Sequence, residues 1–340
     1  MKTPKKRARP WRGAKTPTKT PMKTPSKKGN AESVYQKRAA PSRTILPEVI
    51  TKSNDLISIL EQTSSRLDIN AVPDSMPCRE SEYQNIFNFI EDKIAHNTGG
   101  CLYISGVPGT GKTATVQEVI TALREEVNQG HLKKFQYIEI NGMRMTTPKQ
   151  VYSAIWSQLA GEKRTADHAS ELLEECFSGG GRKRSKSEPI LMVVDELDQL
   201  MTRKQDVLYR IFDWPQRSKL IVIAIANTFD LPERVMMRRV QSRLGLSRET
   251  FSPYSFKQLE EIVRSRLGPN LSRLFEDSGL GFIARKVASL SGDARRCLEI
   301  CRQAVEHSII RYEETKDPST VYIRLQDVIK AGELLFIVLS

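Results

Sequence analysis

The chain has 340 residues, long enough for one large or two ordinary domains, and its 53 Lys+Arg exceed its 40 Asp+Glu by thirteen. That whole excess lies in residues 1–43, which hold fourteen basic side chains and one acid, Glu32, so the other 297 residues are neutral. The longest apolar run, Leu220–Ala226, is far short of the ~20 residues needed to span a bilayer, and the charged N-terminus has no secretory apolar segment. Five cysteines and four histidines are scattered without a CxxC pair or zinc-like spacing, which points to a reducing compartment.

Residues 1–43 are rich in Lys, Pro, Thr and Ser and too poor in apolar side chains to offset the entropy of ordering, so this basic tail is read as disordered. Four Thr-Pro-x-Lys steps, at Thr3, Thr16, Thr20 and Thr24, resemble the consensus of proline-directed cell-cycle kinases. Phosphate on all four would cancel roughly half the tail's charge and weaken contact with a nucleic-acid backbone; the other reading is a merely solvated basic tail. Lys5-Lys6-Arg7-Ala8-Arg9 has the make-up of a nuclear import signal. Residues 44–80 read as a linker and lead-in helix, with Leu56, Ile59 and Leu60 on one helical face.

The buried-strand pattern Cys101–Ser105 runs into Gly106-Val107-Pro108-Gly109-Thr110-Gly111-Lys112-Thr113-Ala114, which fits G-x-x-x-x-G-K-[ST]. A helical stretch follows, with Val116, Val119, Ile120 and Leu123 on one face. The glycines let successive N–H groups turn inward toward phosphate oxygens, and the helix N-terminus adds its dipole. In this arrangement Lys112 meets the β/γ-phosphates of ATP and the Thr113 hydroxyl ligates Mg²⁺.

A second apolar run, Ile190–Val194, ends in Asp195-Glu196-Leu197-Asp198. Acids at the carboxyl end of a central parallel strand face the ligand crevice of an open α/β sheet. Asp195 is the candidate for holding Mg²⁺ and Glu196 for polarising the attacking water, with Glu196 also within the metal set. The strand Leu220–Ala226 is capped by Asn227, either a plain turn residue or an amide that orients water. Ser242-Arg243-Leu244-Gly245 and Ser291-Gly292-Asp293-Ala294-Arg295-Arg296 follow, the latter at a helix start suited to an Asp293 cap.

The order of these parts, with the segments VPDSMPCRE (72–80), INGMRMTTPKQVY (140–152), VVDELDQLMTRKQDVLYRIFDWP (193–215), IANTFDLPERVMMRRVQSRLG (225–245) and LSGDARRCLEICRQA (290–304), resembles the initiator branch of the AAA+ ATPases, the family of the largest origin recognition complex subunits. Over about residues 66–315 the resemblance implies an α/β fold, a parallel sheet of order 5-1-4-3-2 with a small all-helical lid. It divides the chain into an ATPase core at 81–253, a lid at 254–315 and, at 316–340, a lead-in to a winged helix. Family members usually carry that winged helix and an N-terminal bromo-adjacent homology domain, and neither is read in these 340 residues.

The resemblance also assigns roles. Val72 begins the adenine pocket, Gly106 to Ala114 hold phosphate, and Asp195 and Glu196 take the magnesium and water positions. Asn227 and Arg295 are the two sensors, and Arg243 is the arginine finger that acts on a neighbour's nucleotide. A helix over 140–160 corresponds to the insertion that touches double-stranded DNA, with Arg144 and Lys149 as contacts, although surface cations alone explain such a pair. The basic loop 179–187 either brushes DNA or is solvated. The implied function is an ATP-dependent, nuclear DNA-binding subunit of an origin recognition complex, with sister subunits and the helicase loader as partners and slow hydrolysis in isolation. The alternatives are a cell-division-cycle-type helicase-loader paralogue or a clamp-loader-like AAA+ ATPase.

Overall fold

Alternation of apolar residues on both sides of one strand explains the architecture. In β4 (Leu220–Ala226) the side chains of Leu220, Val222, Ala224 and Ala226 enter one core and those of Ile221, Ile223 and Ile225 enter another. A strand buried on both faces belongs at the centre of a parallel sheet covered by helices. The computed structural model describes residues 53–68, 77–178, 188–228, 236–244, 247–317 and 321–337. Val72, the tail threonines Thr3, Thr16, Thr20 and Thr24, and the loop 179–187 lie outside the described residues.

Five parallel strands form the sheet: β1 (Gly100–Gly106), β2 (Gln136–Asn141), β3 (Ile190–Asp195), β4 and β5 (Arg248–Phe251), in the order β2-β3-β4-β1-β5. This is the expected order read from the opposite edge. One face is covered by α2 (Glu80–His96), through Ile86, Ile90 and Ile94, and by α3 (Lys112–Gln129), through Val116, Val119, Ile120 and Leu123. These spacings of three and four residues place an apolar stripe on each helix. The other face is covered by α4 (Gln150–Ala160), α5 (Ala166–Phe177), α6 (Asp206–Arg217) and α7 (Arg238–Leu244), with Trp214, Phe177 and Tyr152 packed against one another. On the outer side of the edge strand β2, the Gln158 amide of α4 accepts from Glu139 N–H and donates to Glu139 C=O. A side chain thus takes hydrogen-bonding positions that an edge strand leaves open.

The expected helix over 140–160 is divided. Asn141 accepts from Met143 N–H and caps a short 3₁₀ turn at Gly142–Arg144, and α4 begins only at Gln150. Pro148 accounts for the break, because it lacks an N–H and disfavours helical backbone in the residue before it.

After β5 the chain is helical: α8 (Phe256–Leu271), α9 (Asp277–Leu290), α10 (Ala294–Thr315) and α11 (Leu325–Ile337). Ser255 and Gln258 form a reciprocal cap at the start of α8, and Asp293 caps α10. These helices share one core, with Leu259, Val263, Ile283, Val287, Cys297 and Cys301 buried in it. The N-terminal helix α1 (Ser53–Leu67) joins the same core through Leu56, Leu60 and Leu67, while Ile59 is only partly buried. Cys297 and Cys301 are packing residues there, and the five cysteines are free thiols. No described helix is long and apolar enough to cross a membrane.

Candidate functional site at the carboxyl ends of the central strands

β1, β3 and β4 end at the same edge, with Ser105 opposite Ala226 and Val194 opposite Ala224. Beyond these pairs the strands part, and the connecting segments supply the polar groups. The loop after β1 needs left-handed backbone at Gly109 (φ 73°) and Gly111 (φ 86°), which glycine adopts without steric cost. Gly111 is the N-cap residue of α3, so Lys112 and Thr113 open that helix.

Lys112 is buried at 6% exposure, and its Nζ donates to Gly106 O at 2.8 Å, Val107 O at 3.0 Å and Asn227 Oδ1 at 2.9 Å. The other end of the Asn227 amide donates to Glu196 Oε2 at 2.6 Å. One amide therefore links the lysine of the loop to the acid after β3. Thr113 Oγ1 donates to Asp195 Oδ2 at 3.0 Å, and Asp195 Oδ1 accepts from Glu196 N–H at 2.9 Å. Thr110 Oγ1 donates back to Val107 O, bracing the loop from inside.

Burial pushes the Lys112 ammonium below the usual lysine pKa; the Glu196 and Asp195 carboxylates oppose this and Arg295 adds to it. Burial, followed by the Asp195 and Asp198 charges, raises the Glu196 carboxyl above its ordinary range, against the pull of Lys112 and the Asn227 hydrogen bond. A cation and an acid both displaced from their ordinary values within one hydrogen-bonded chain mark a candidate reactive site.

Asp198 is a member of this constellation that the sequence left without a role. Its Oδ2 accepts from Asn227 N–H at 2.9 Å and its Oδ1 from the Thr228 hydroxyl at 3.2 Å. Asp198 lies on the 3₁₀ turn Leu197–Leu200, so its carboxylate ties the ends of β3 and β4 together where their ladder has stopped. The acid run DELD was its only signal.

The helical layer closes over the loop from α10. Ala294 N–H donates to Gly109 O at 3.2 Å, and a Cβ on Gly109 would lie 1.6 Å from Asp293 Oδ1. Arg295, in the first turn of α10, is exposed. Arg243 belongs to α7, and its side chain is outside the description. Arg144 is exposed on the 3₁₀ turn after β2 beside the exposed Met143, and Lys149 pairs with Asp167 at 3.3 Å. Neither Arg144 nor Lys149 belongs to the cluster around Lys112.

With this geometry in place, likeness to known proteins is informative. The ATPase family associated with various cellular activities (AAA) matches residues 102–248, and the AAA lid domain matches residues 271–316. The chain is 49% identical over 299 residues to human origin recognition complex subunit 1, covering 86% of this chain and 34% of the human protein. The Schizosaccharomyces pombe protein of the same name is 49% identical over 243 residues, covering 71% of this chain and 34% of that protein. Among solved structures, a chain of Drosophila ORC bound to DNA aligns with a TM-score of 0.71 at 43% identity, covering 86% of this chain and 70% of that one. This chain belongs to the AAA ATPases, in the origin recognition complex subunit 1 family. It spans about a third of the length of the curated relatives it matches. The AAA ATPase fold implies nucleotide binding.

Proposed function

We propose that the chain is the ATP-binding part of a nuclear origin recognition subunit, which uses nucleotide to hold a multi-subunit assembly on double-stranded DNA for helicase loading. The Lys112–Asn227–Glu196 chain beside the Thr113–Asp195 pair, at the parting of three parallel strands, is the observation that carries this reading. Kinship with proteins that are subunits of ORC, one of them solved on DNA, supports the assembly and the DNA.

The three oxygens bonded to Lys112 are exchangeable for phosphate oxygens, so the ammonium would release Val107 and Asn227 as a triphosphate enters. Asn227, freed from the lysine but anchored by Asp198, keeps its Nδ2 on Glu196 and can orient water between that carboxylate and the terminal phosphate. Glu196 polarises this water only when ionised. Arg295 approaches from the helical layer, and Arg243 would serve the site of the neighbouring subunit.

The donor set suits Mg²⁺: a hydroxyl and a carboxylate oxygen 3.0 Å apart are hard oxygen ligands, and Mg²⁺ commonly takes one or two such protein groups and fills its shell with phosphate and water. Thr113 and Asp195 would hold the ion, with Glu196 reaching it through water. When bound, it would neutralise charge on the phosphates. Arg144 and Lys149 would meet the DNA backbone, and kinase action at Thr3, Thr16, Thr20 and Thr24 would oppose tail binding. The Lys149–Asp167 pair is exposed and costs little to exchange for a phosphate.

The test is single-turnover hydrolysis by the purified chain, alone and with the other complex subunits, alongside capture of duplex DNA under ATP and ADP. An arginine finger can contribute about 10³–10⁵ in rate, so the reading requires slow turnover alone and marked acceleration on assembly. Fast hydrolysis by the isolated chain, or subunit and DNA capture indifferent to nucleotide, would refute it.

A further inference from the structure

A buried arginine sits where the sheet gives way to the helical layer. Arg79, at 3% exposure, precedes α2 and lies over two aromatic rings, its guanidinium carbon 5.1 Å from the Phe251 centroid and 4.1 Å from the Tyr254 centroid. Phe251 ends β5 and Tyr254 lies in the short link to α8, so these contacts span the junction where the sheet domain becomes the helical layer. One arm of the guanidinium pairs with Glu82 of α2, and the other donates to the Ser252 carbonyl inside the link. Glu82 belongs to the sheet side and Ser252 to the link, whereas Tyr254 is buried in the core of the helical layer.

From Tyr254 a short path leads to the phosphate loop. Tyr254 N–H donates to Gly292 O at 3.2 Å, and two residues later Ala294 N–H donates to Gly109 O. Gly292 itself leaves no room for change, since a Cβ there would meet Pro253 Cβ at 2.7 Å and Tyr254 O at 3.0 Å. A rotation of the link would therefore carry Gly292, Asp293 and the start of α10 away from Gly109.

We infer that Arg79 is a positioning residue for the nucleotide site: by clamping Tyr254, it fixes the angle at which α10 closes on the phosphate loop and so sets how long nucleotide stays bound. The planar cation is essential to the role, because it lies over two rings while its arms reach Glu82 and Ser252, which an ammonium cannot reproduce. This rests on the nucleotide site proposed above.

The experiment is stopped-flow release of a fluorescent ATP analogue from the full chain, with thermal melting in parallel. Arg79→Ala should release nucleotide about tenfold faster, as expected for loss of a desolvated cation–ring contact. Arg79→Lys should fall between it and wild type. Tyr254→Ala should match Arg79→Ala, Tyr254→Phe should keep the wild-type rate, and the Arg79→Ala/Tyr254→Ala double variant should be no faster than either single one. Leu298→Ala, in the core of the helical layer, supplies the control: it should lower the melting temperature without hastening release.

Should Arg79→Ala fail to fold, Arg79→Lys and Tyr254→Ala read the same quantity. Wild-type release rates in folded Arg79→Ala and Tyr254→Ala variants would overturn the inference. So would additive effects in the double variant, or equal acceleration by Leu298→Ala. Those results leave the site itself standing, whereas failure of the wild-type chain to bind the analogue would remove both readings.

Discussion

The two ends of the central strands make opposite use of their charges. At the carboxyl ends, Lys112 is bonded to Asn227, 115 residues away, and Thr113 to Asp195, 82 residues away. At the amino ends of β1 and β4 lies a cleft of about 660 Å³ whose lining includes Lys93, Gly99, Arg217 and Lys219. Its charges are met mainly close to home: Lys93 approaches the adjacent Asp92 at 3.7 Å, and Arg217 pairs at 2.7 Å with Asp213 one turn earlier in α6 and more loosely, at 3.7 Å, with Glu174 of α5. Local pairs on one helix need little ordering beyond the helix itself. Bringing a lysine, an amide and two acids together from three loops costs conformational entropy that only a folded scaffold can offset. Distant polar groups converge at the carboxyl ends and not in this hollow, and such convergence identifies a candidate site better than volume does.

The sharpest test of the contrast is a pair of substitutions at opposite ends. Lys112→Ala removes a charged donor to three oxygens and should weaken ATP binding by about 10²-fold or more, whereas Arg217→Ala should leave ATP affinity unchanged. Equilibrium titration with a fluorescent analogue checks both, and equal losses would abolish the distinction. Next in size, Glu196→Gln should slow single-turnover hydrolysis by about 10²-fold while ATP affinity stays close to wild type. Loss of affinity together with rate would make Glu196 a binding residue instead.

Gly109→Ala concerns the meeting of the loop with α10. Its Cβ would strike the Asp293 carboxylate at a backbone angle that side chains rarely adopt, so a loss of about 1–3 kcal/mol in chemical denaturation is expected, with weaker nucleotide binding. A neutral result would mean that α10 does not rest on the loop. The smallest effect is a pH dependence. Because the fold raises the Glu196 pKa, ionisation of this acid opposes folding. The penalty is absent below the unfolded-state value, grows as pH rises toward the folded value and is constant above it. Glu196→Gln should therefore melt slightly above wild type at neutral pH, with the gap closing on acidification; a gap that widened toward acid would contradict the raised pKa.

Much of the fold was legible because burial leaves a periodic trace. The runs at 101–105, 190–194 and 220–226 are too apolar for anything but interior strands, and they differ from the observed strands by at most a residue at either end. The spacing of Val116, Val119, Ile120 and Leu123 marked the face that α3 turns to the sheet. The break at Pro148 was also written in the letters, but the likeness to a continuous insertion helix over 140–160 masked it. Arg79 could not be read in this way: one arginine in a polar stretch has no periodicity, and its rings come from residues more than 170 positions later. Nor could the packing of α1 into the helical layer, since an amphipathic stripe declares that a face is buried without declaring against what.

Local order thus came from the sequence alone: strands from two-sided burial, helices from their stripes, and a phosphate-loop pattern from glycines at the two positions where backbone must turn left-handed. Those effects act within a few residues and survive in the order of the letters. The tertiary structure alone decided that Asn227 joins Lys112 to Glu196, that Asp198 holds the parted tips of β3 and β4, and that Arg79 lies over two rings. Hydrogen bonds and cation–ring contacts act over a few ångströms of space, and only the folded chain brings residues a hundred positions apart to within that range.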